Sequence, residues 1–259
     1  MKRLTVRRFV ILALLILITI GLWHIGLLDV AQWSLAAGRL REFSCGLFPP
    51  QLNSLPTLAG AMIETVEIAF LGTMLGFFAA LPIAFLASTI FSGTAVAYAV
   101  RLMIGAVRTV PSILWGIIFV VAFGLGPAAG TIGVAFYTLG YLGKLYYEVF
   151  EGVDAEVLEA VRGVGCSRLQ LMLYAVLPES ANAILSQLLF MFEYNIRASA
   201  IMGFVGAGGI GYYLLGYVQM LQYRNLLTAL LLTFVVVMAV DCLSRKLRTA
   251  ILPANPITS

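Results

Sequence analysis

Charge is scarce in this sequence. Lysine, arginine, aspartate and glutamate together supply only 11% of the 259 residues, whereas a soluble globular chain carries about 25%. A soluble fold could not cover its own surface with so few charges. Histidine is scarcer still, with His24 alone, and the three cysteines, Cys45, Cys166 and Cys242, lie far apart without CxxC or metal-ligand spacing. They read as unpaired packing cysteines, and His24, near the end of the first apolar run, as an interfacial structural residue. No metal ligand and no catalytic residue is assigned. A nucleotide site is missing as well. The nearest approach to a phosphate-binding loop is Gly143-Lys144, but Leu145 follows it and Thr138 stands where the first glycine is required.

Apolar side chains are what the sequence has in abundance: 61% of residues are hydrophobic and the mean hydropathy is +1.01. The expected class is an all-α, polytopic integral membrane protein. A bilayer crossing needs about twenty apolar residues, and windows at about 9–28, 58–87, 110–126, 128–149, 178–203 and 225–244 predict about six transmembrane helices. Residues 1–56 read as a first span plus an external segment, and 57–250 as a core. The basic start, Lys2-Arg3 and Arg7-Arg8, precedes about twenty apolar residues from Phe9, too long for a signal-peptide core, so it reads as a retained span. Pro111 and Pro178 stand at the starts of the third and fifth spans, where a missing N–H costs nothing.

With the N-terminus inside, the cytoplasmic side receives Lys2, Arg3, Arg7, Arg8, Arg101, Arg108, Lys144, Arg162, Arg168, Arg245, Lys246 and Arg248. The opposite side receives Arg39, Arg41, Arg197 and Arg224. Twelve against four obeys the positive-inside rule. Both termini are then expected in the cytoplasm of a bacterial plasma (inner) membrane, with lipid, not nucleic acid, answering the net charge of +4.

The same count puts a polar segment, 150–177, in the cytoplasm. Asp154 can cap a short helix from Ala155 to about Arg162. Gly163 and Gly165 break it. Ser167 followed by Gln170 fits a capping box for a second short helix ending near Val176, and Leu177-Pro178 opens the next span. An ordinary surface loop is the plain alternative. The spacing Glu159-Ala160, Gly165 and Leu177-Pro178 nevertheless resembles the EAA loop of ABC importer permeases. The departures are Val161 in place of a second alanine and Ala175 where the pattern favours isoleucine. That resemblance implies that Glu159, Ala160, Gly163, Gly165, Leu177 and Pro178 form a docking site for a cytoplasmic ATPase.

Two further features lie after Pro178. Gly206-Ala207-Gly208-Gly209-Ile210-Gly211 matches GxGxxG, but an apolar span precedes it and the next acid, Asp241, is thirty residues beyond Gly211. That excludes the dinucleotide reading. A glycine-rich span end can instead unwind to line or gate a protein-enclosed path, or it is a plain helix end. Just upstream, Glu193, Asn195, Arg197 and Ser199 place polar groups inside a span, where they usually face the bundle interior or water. Glu193 and Arg197 are spaced for an ion pair; alternatively Arg197, with Asn195 and Ser199, attracts an anion. Glu64 and Glu67 read as interfacial residues of little functional weight.

The run from Glu193 to Gly211, together with Leu47-Phe48-Pro49-Pro50 and Val121 to Pro127, resembles the phosphonate ABC transporter permease family over about residues 47–248. The resemblance implies a MetI-like fold and a homodimer with a second permease copy. It further implies a cytoplasmic ABC ATPase dimer holding ATP and Mg, so that this chain needs no cofactor of its own, and an external substrate-binding protein. The implied cargo is phosphonate or a smaller phosphorus oxyanion such as phosphite. An ABC permease for another solute such as methionine is the alternative. An ion-coupled secondary transporter, which would want inverted repeats and buried carboxylates, is a further one.

Overall fold

The computed structural model describes the backbone of residues 2–251 and the side chains of residues 7, 8 and 10–250. The side chains of Lys2 and Arg3, part of the basic start, and the C-terminal end 252–259 lie outside the described residues. Among the described residues the chain is helical and contains no strand. It forms two compact units, 1–49 and 50–259.

The first unit holds α1 (Lys2–His24) and α2 (Val30–Leu47). The segment read from sequence as external, 29–57, is mostly occupied by α2. The local signal for it is Asp29, whose carboxylate accepts from the Ala31 N–H at 2.9 Å as an N-cap. The Trp33 indole N–H donates to the Leu27 carbonyl at 2.7 Å and fixes the α1–α2 turn. No residue of α2 is buried.

The second unit is built on α3 (Leu55–Ala87) and α6 (Pro127–Glu151), which run parallel in close contact. Their register is set by small residues: Gly72 lies against Val134 and Gly76 against Thr138, and a methyl group at either glycine would stand 2.6 Å from its neighbour. Into this pair packs α9 (Leu177–Met202), so that Leu142, Tyr146, Phe150 and Met191 are fully buried. The unit is completed by α4 (Thr94–Thr109), α5 (Ser112–Phe123), α7 (Ala155–Gly163), α8 (Arg168–Leu171), α10 (Ile210–Gln219) and α11 (Tyr223–Ile251).

Two local readings need correction. The window at 110–126 was expected to be a span of its own, opened by Pro111. Instead α4 is a full helix and α5, with twelve residues, is only about 18 Å long. The two helices meet at 88° across Val110-Pro111, where proline cannot continue the hydrogen-bond ladder of α4. Nor does a break separate the second short helix of 150–177 from the span that follows. A π turn, Met172–Val176, joins α8 to α9, with the Leu177 N–H donating to the Met172 carbonyl. The wider i→i+5 turn carries the chain into Pro178, which has no N–H to give.

By length and composition Leu52–Ala87, Arg168–Val205 and Tyr223–Ala250 are able to cross a bilayer, and α4 with α5 supplies a fourth crossing if the bent pair counts as one. Large apolar side chains of α1, α3 and α11 are exposed along their length, among them Leu17, Phe78 and Phe234. Lipid is the solvent that suits such surfaces.

Candidate functional site

The polar segment 150–177 folds as its local signals predict. The Asp154 carboxylate accepts from the Glu156 N–H at 3.0 Å, starting α7. Gly165 takes φ +82°, a left-handed turn that glycine enters without strain. The Ser167–Gln170 capping box is complete: the Ser167 N–H donates to Gln170 Oε1 at 2.8 Å and the Gln170 N–H to Ser167 Oγ at 3.3 Å.

The two sides of this helix pair differ. Leu158, Leu171, Met172, Ala175 and Val176 are buried with Tyr146, Phe150 and Val153, and Val161 and Leu177 pack against them. On the other side Glu159, Ala160, Gly163, Gly165 and Pro178 are exposed. Large apolar groups surround them: Val164 is 87% exposed and Tyr174 74%, with Leu169 exposed between. Sequence reasoning missed these three, since an apolar residue in so apolar a chain is no signal by itself.

A polar corner secures the same end of the molecule. Glu151, the last residue of α6, accepts from the Thr89 N–H at 2.7 Å and the Thr89 hydroxyl at 2.6 Å, and is paired with Arg101. Burial pushes the Glu151 carboxyl upward, but the two Thr89 hydrogen bonds and the Arg101 guanidinium outweigh it and hold the group below the ordinary carboxyl value. The Arg101 Nε donates to the Ala87 carbonyl at 2.8 Å, and its guanidinium lies 4.5 Å from the Tyr147 ring centre. The Arg168 guanidinium donates to the Phe91 carbonyl at 2.7 Å.

At the far end of α9 the glycine-rich segment forms a tight turn, with Gly206, Gly208 and Gly209 all at positive φ. It leads into α10, whose first N–H groups are taken by α3. The Gly209 N–H donates to Glu64 Oε1 at 3.2 Å and the Ile210 N–H to Thr65 Oγ1 at 2.8 Å. Gly211 lies directly on the Ala200 carbonyl of α9, leaving no room for a side chain. Glu64, given little weight from sequence, therefore holds the turn in place; its partner is 145 residues away and left no local trace.

Between the two ends, the polar residues of α9 separate. Asn195 is fully buried and donates from Nδ2 to both Thr73 Oγ1 and Thr138 Oγ1 at 2.8 Å, bolting α3, α6 and α9 together. Ser199 donates to the Asn195 carbonyl at 2.7 Å. Arg197 points elsewhere, to Glu193 at 3.5 Å and, from α11, Asp241 at 3.8 Å. Positions two apart on a helix are about 200° apart around its axis, so Asn195 and Ser199 do not converge with Arg197. Thr73, Thr138 and Asp241 are partners of these residues that sequence reasoning missed. Asp241 alone left a signal, as an acid inside an apolar run.

With this geometry in view, the comparison with known proteins is decisive: the family described as "Binding-protein-dependent transport system inner membrane component" matches residues 72–252. The chain belongs to that family. This permease is 32% identical over 232 residues to the phosphite transport system permease protein PtxC of Stutzerimonas stutzeri, covering 89% of this chain and 84% of that one. It is 35% identical over 212 residues to the phosphate-import permease protein PhnE of Mycolicibacterium smegmatis (strain ATCC 700084 / mc(2)155), covering 80% of this chain and 40% of that protein. Among solved structures, the permease superposes on a chain of the inward-facing MetNI methionine ABC transporter with a TM-score of 0.70 at 19% identity, covering 77% of this chain and 98% of that one. At that identity the likeness shows the fold, which is MetI-like. The permease is thus an inner-membrane, multi-pass component of an ABC importer.

Proposed function

We propose that this permease carries phosphite, phosphonate or a closely related phosphorus oxyanion into the cytoplasm as one half of a homodimer. ATP hydrolysis, with Mg, takes place on a cytoplasmic ABC ATPase dimer, and an external binding protein delivers the cargo. The chain crosses the membrane six times with both termini in the cytoplasm. The observation that carries the ATPase half of this reading is the two-sided helix pair α7–α8. Its inner side is locked into the core, and its outer side presents Glu159 and Ala160 among exposed Val164, Leu169 and Tyr174. Such a patch, apolar with a central charge, suits a protein partner. Gly163 and Gly165 shape its turn, and Leu177-Pro178 passes its movement into α9. The turn Gly206, Gly208, Gly209, Gly211 serves as a gate held by α3, and the Glu193–Arg197–Asp241 group lies along the path below it.

The cargo assignment is supported by the phosphite permease relatives. Reconstitution in proteoliposomes with the cognate ATPase and binding protein tests it. Labelled phosphite or methylphosphonate is expected to accumulate only with ATP inside, and methionine not at all. Accumulation of methionine instead overturns the cargo, and ATP-independent accumulation driven by an ion gradient overturns the ABC mechanism.

A further inference from the structure

An oxyanion inside so apolar a chain must be met by hydrogen-bond donors, because its charge is otherwise stranded. Arg197 is poorly placed to act alone, since Glu193 and Asp241 already answer its charge. A different set of donors lies in line near the midpoint of α6. The exposed Arg108 places its guanidinium 5.5 Å from the ring centre of Tyr141. Tyr141 lies 6.1 Å from Tyr137, and Tyr137 stacks on Tyr194 of α9 at 5.7 Å with the rings 20° apart. Arg108, counted on the cytoplasmic side from sequence, instead sits beside Gly140, about half-way along α6, so the row occupies the waist of the molecule, not its cytoplasmic end.

Three facts distinguish this row from ordinary aromatic packing. A tyrosine that packs into a core finds a partner for its hydroxyl, and Tyr146 does so, donating to the Ile184 carbonyl at 3.4 Å. Here Tyr137 and Tyr194 are bonded only to each other, hydroxyl to hydroxyl, and Tyr141 bonds to no group among the described residues; all three are only half-buried. Second, the cation at the head of the row is uncommitted: among the described residues Arg108 has no carboxylate within 4.0 Å. Third, Gln187, two turns before Tyr194 on the same face of α9, keeps its buried side-chain oxygen without a partner.

We propose that Arg108, Tyr141, Tyr137 and Tyr194 form a donor track that passes a tetrahedral phosphorus oxyanion through the middle of the permease. The proposal rests on the cargo reading above and adds the groups that bind it. Phenol hydroxyls suit transit: neutral donors grip an anion without trapping it, as a desolvated ion pair would. The stacked rings fix the hydroxyl positions in advance, so little ordering entropy is lost on binding.

The reconstituted complex of permease, ATPase and binding protein tests the track. Tyr137→Phe with Tyr194→Phe keeps both rings and removes only the oxygens. Phosphite and methylphosphonate uptake is expected to fall about tenfold or more, with the complex eluting intact. Arg108→Gln, at an exposed position, is expected to lose uptake to a similar degree and decides the matter if the double variant fails to assemble. Uptake within about twofold of wild type in an intact complex overturns the track while leaving the cargo reading standing. Wild-type complex that carries no phosphorus oxyanion overturns both.

Discussion

The guanidinium of Arg168 and the carbonyl oxygen of Phe91 are joined at 2.7 Å across 77 positions of sequence. The bond ties α8 to the α3–α4 corner, which Glu151, Thr89 and Arg101 tie in turn to the end of α6. Force delivered to the exposed face of α7–α8 therefore enters the core at two places, through the π turn into α9 and through Arg168 into the corner. Arg168→Ala is expected to leave ATPase association intact, lower permease stability by about 1–2 kcal/mol, and reduce transport per ATP hydrolysed. Co-purification, thermal unfolding in detergent and the uptake-to-hydrolysis ratio check the three parts.

The Glu159 side chain is exposed and makes no hydrogen bond among the described residues. Glu159→Lys is therefore expected to leave insertion and thermal stability unchanged, within about 0.5 kcal/mol, while abolishing co-purification with the ATPase. A variant that still recruits the ATPase and transports normally removes Glu159 from the docking face.

Glu151 gives the corner a pH dependence of known sign. Its carboxyl is held below the ordinary value of 4.5 by Thr89 and Arg101, so the unfolded chain takes up the proton first as pH falls. Its stabilisation is complete above about 4.5, diminishes below it, and is gone once the pH falls through the folded value. Thermal midpoints of wild type and Glu151→Gln, measured from pH 7 to about pH 2, are expected to differ most at neutral pH and to converge only well below about 4.5.

Two glycines of α10 make opposite predictions. Gly211 meets the Ala200 carbonyl of α9 with no room for a methyl group, while Gly216 has nothing within 4 Å of where one would stand. Gly211→Ala is expected to destabilise by about 1–3 kcal/mol through overpacking, and to loosen the glycine turn. Gly216→Ala is expected to stabilise by about 0.5–1 kcal/mol by reducing the freedom of the unfolded chain. Thermal unfolding of the two variants side by side checks the contrast.

The elements that were legible in sequence are those whose signals are local. Long apolar runs announce α3, α9 and α11. Asp154 and the Ser167–Gln170 pair announce α7 and α8, because capping is settled within four residues. The features that escaped depend on neighbours far along the chain. Glu64 reads as an interfacial acid until Gly209 is folded against it. Arg197 is paired to Asp241 by the packing of α11 on α9, which no periodicity records. Asn195, Arg197 and Ser199 look like one cluster in sequence, but the helix turns Arg197 away from the other two. Pro111 and Pro178 look alike as span openers, yet one marks a sharp bend and the other rides on a continuous helix.

That continuity makes α8 and α9 a single lever. From Arg168 to Val205 the 38 residues extend about 57 Å, with the π turn set a few residues from the α8 end and the glycine turn at the other. A tilt of about 10° at the α7–α8 face displaces the distal end by about 10 Å, more than the width of a phosphorus oxyanion. Small strokes at one surface are thus magnified at the opposite one, and Glu64 and Thr65 stand where the magnified motion would first break hydrogen bonds.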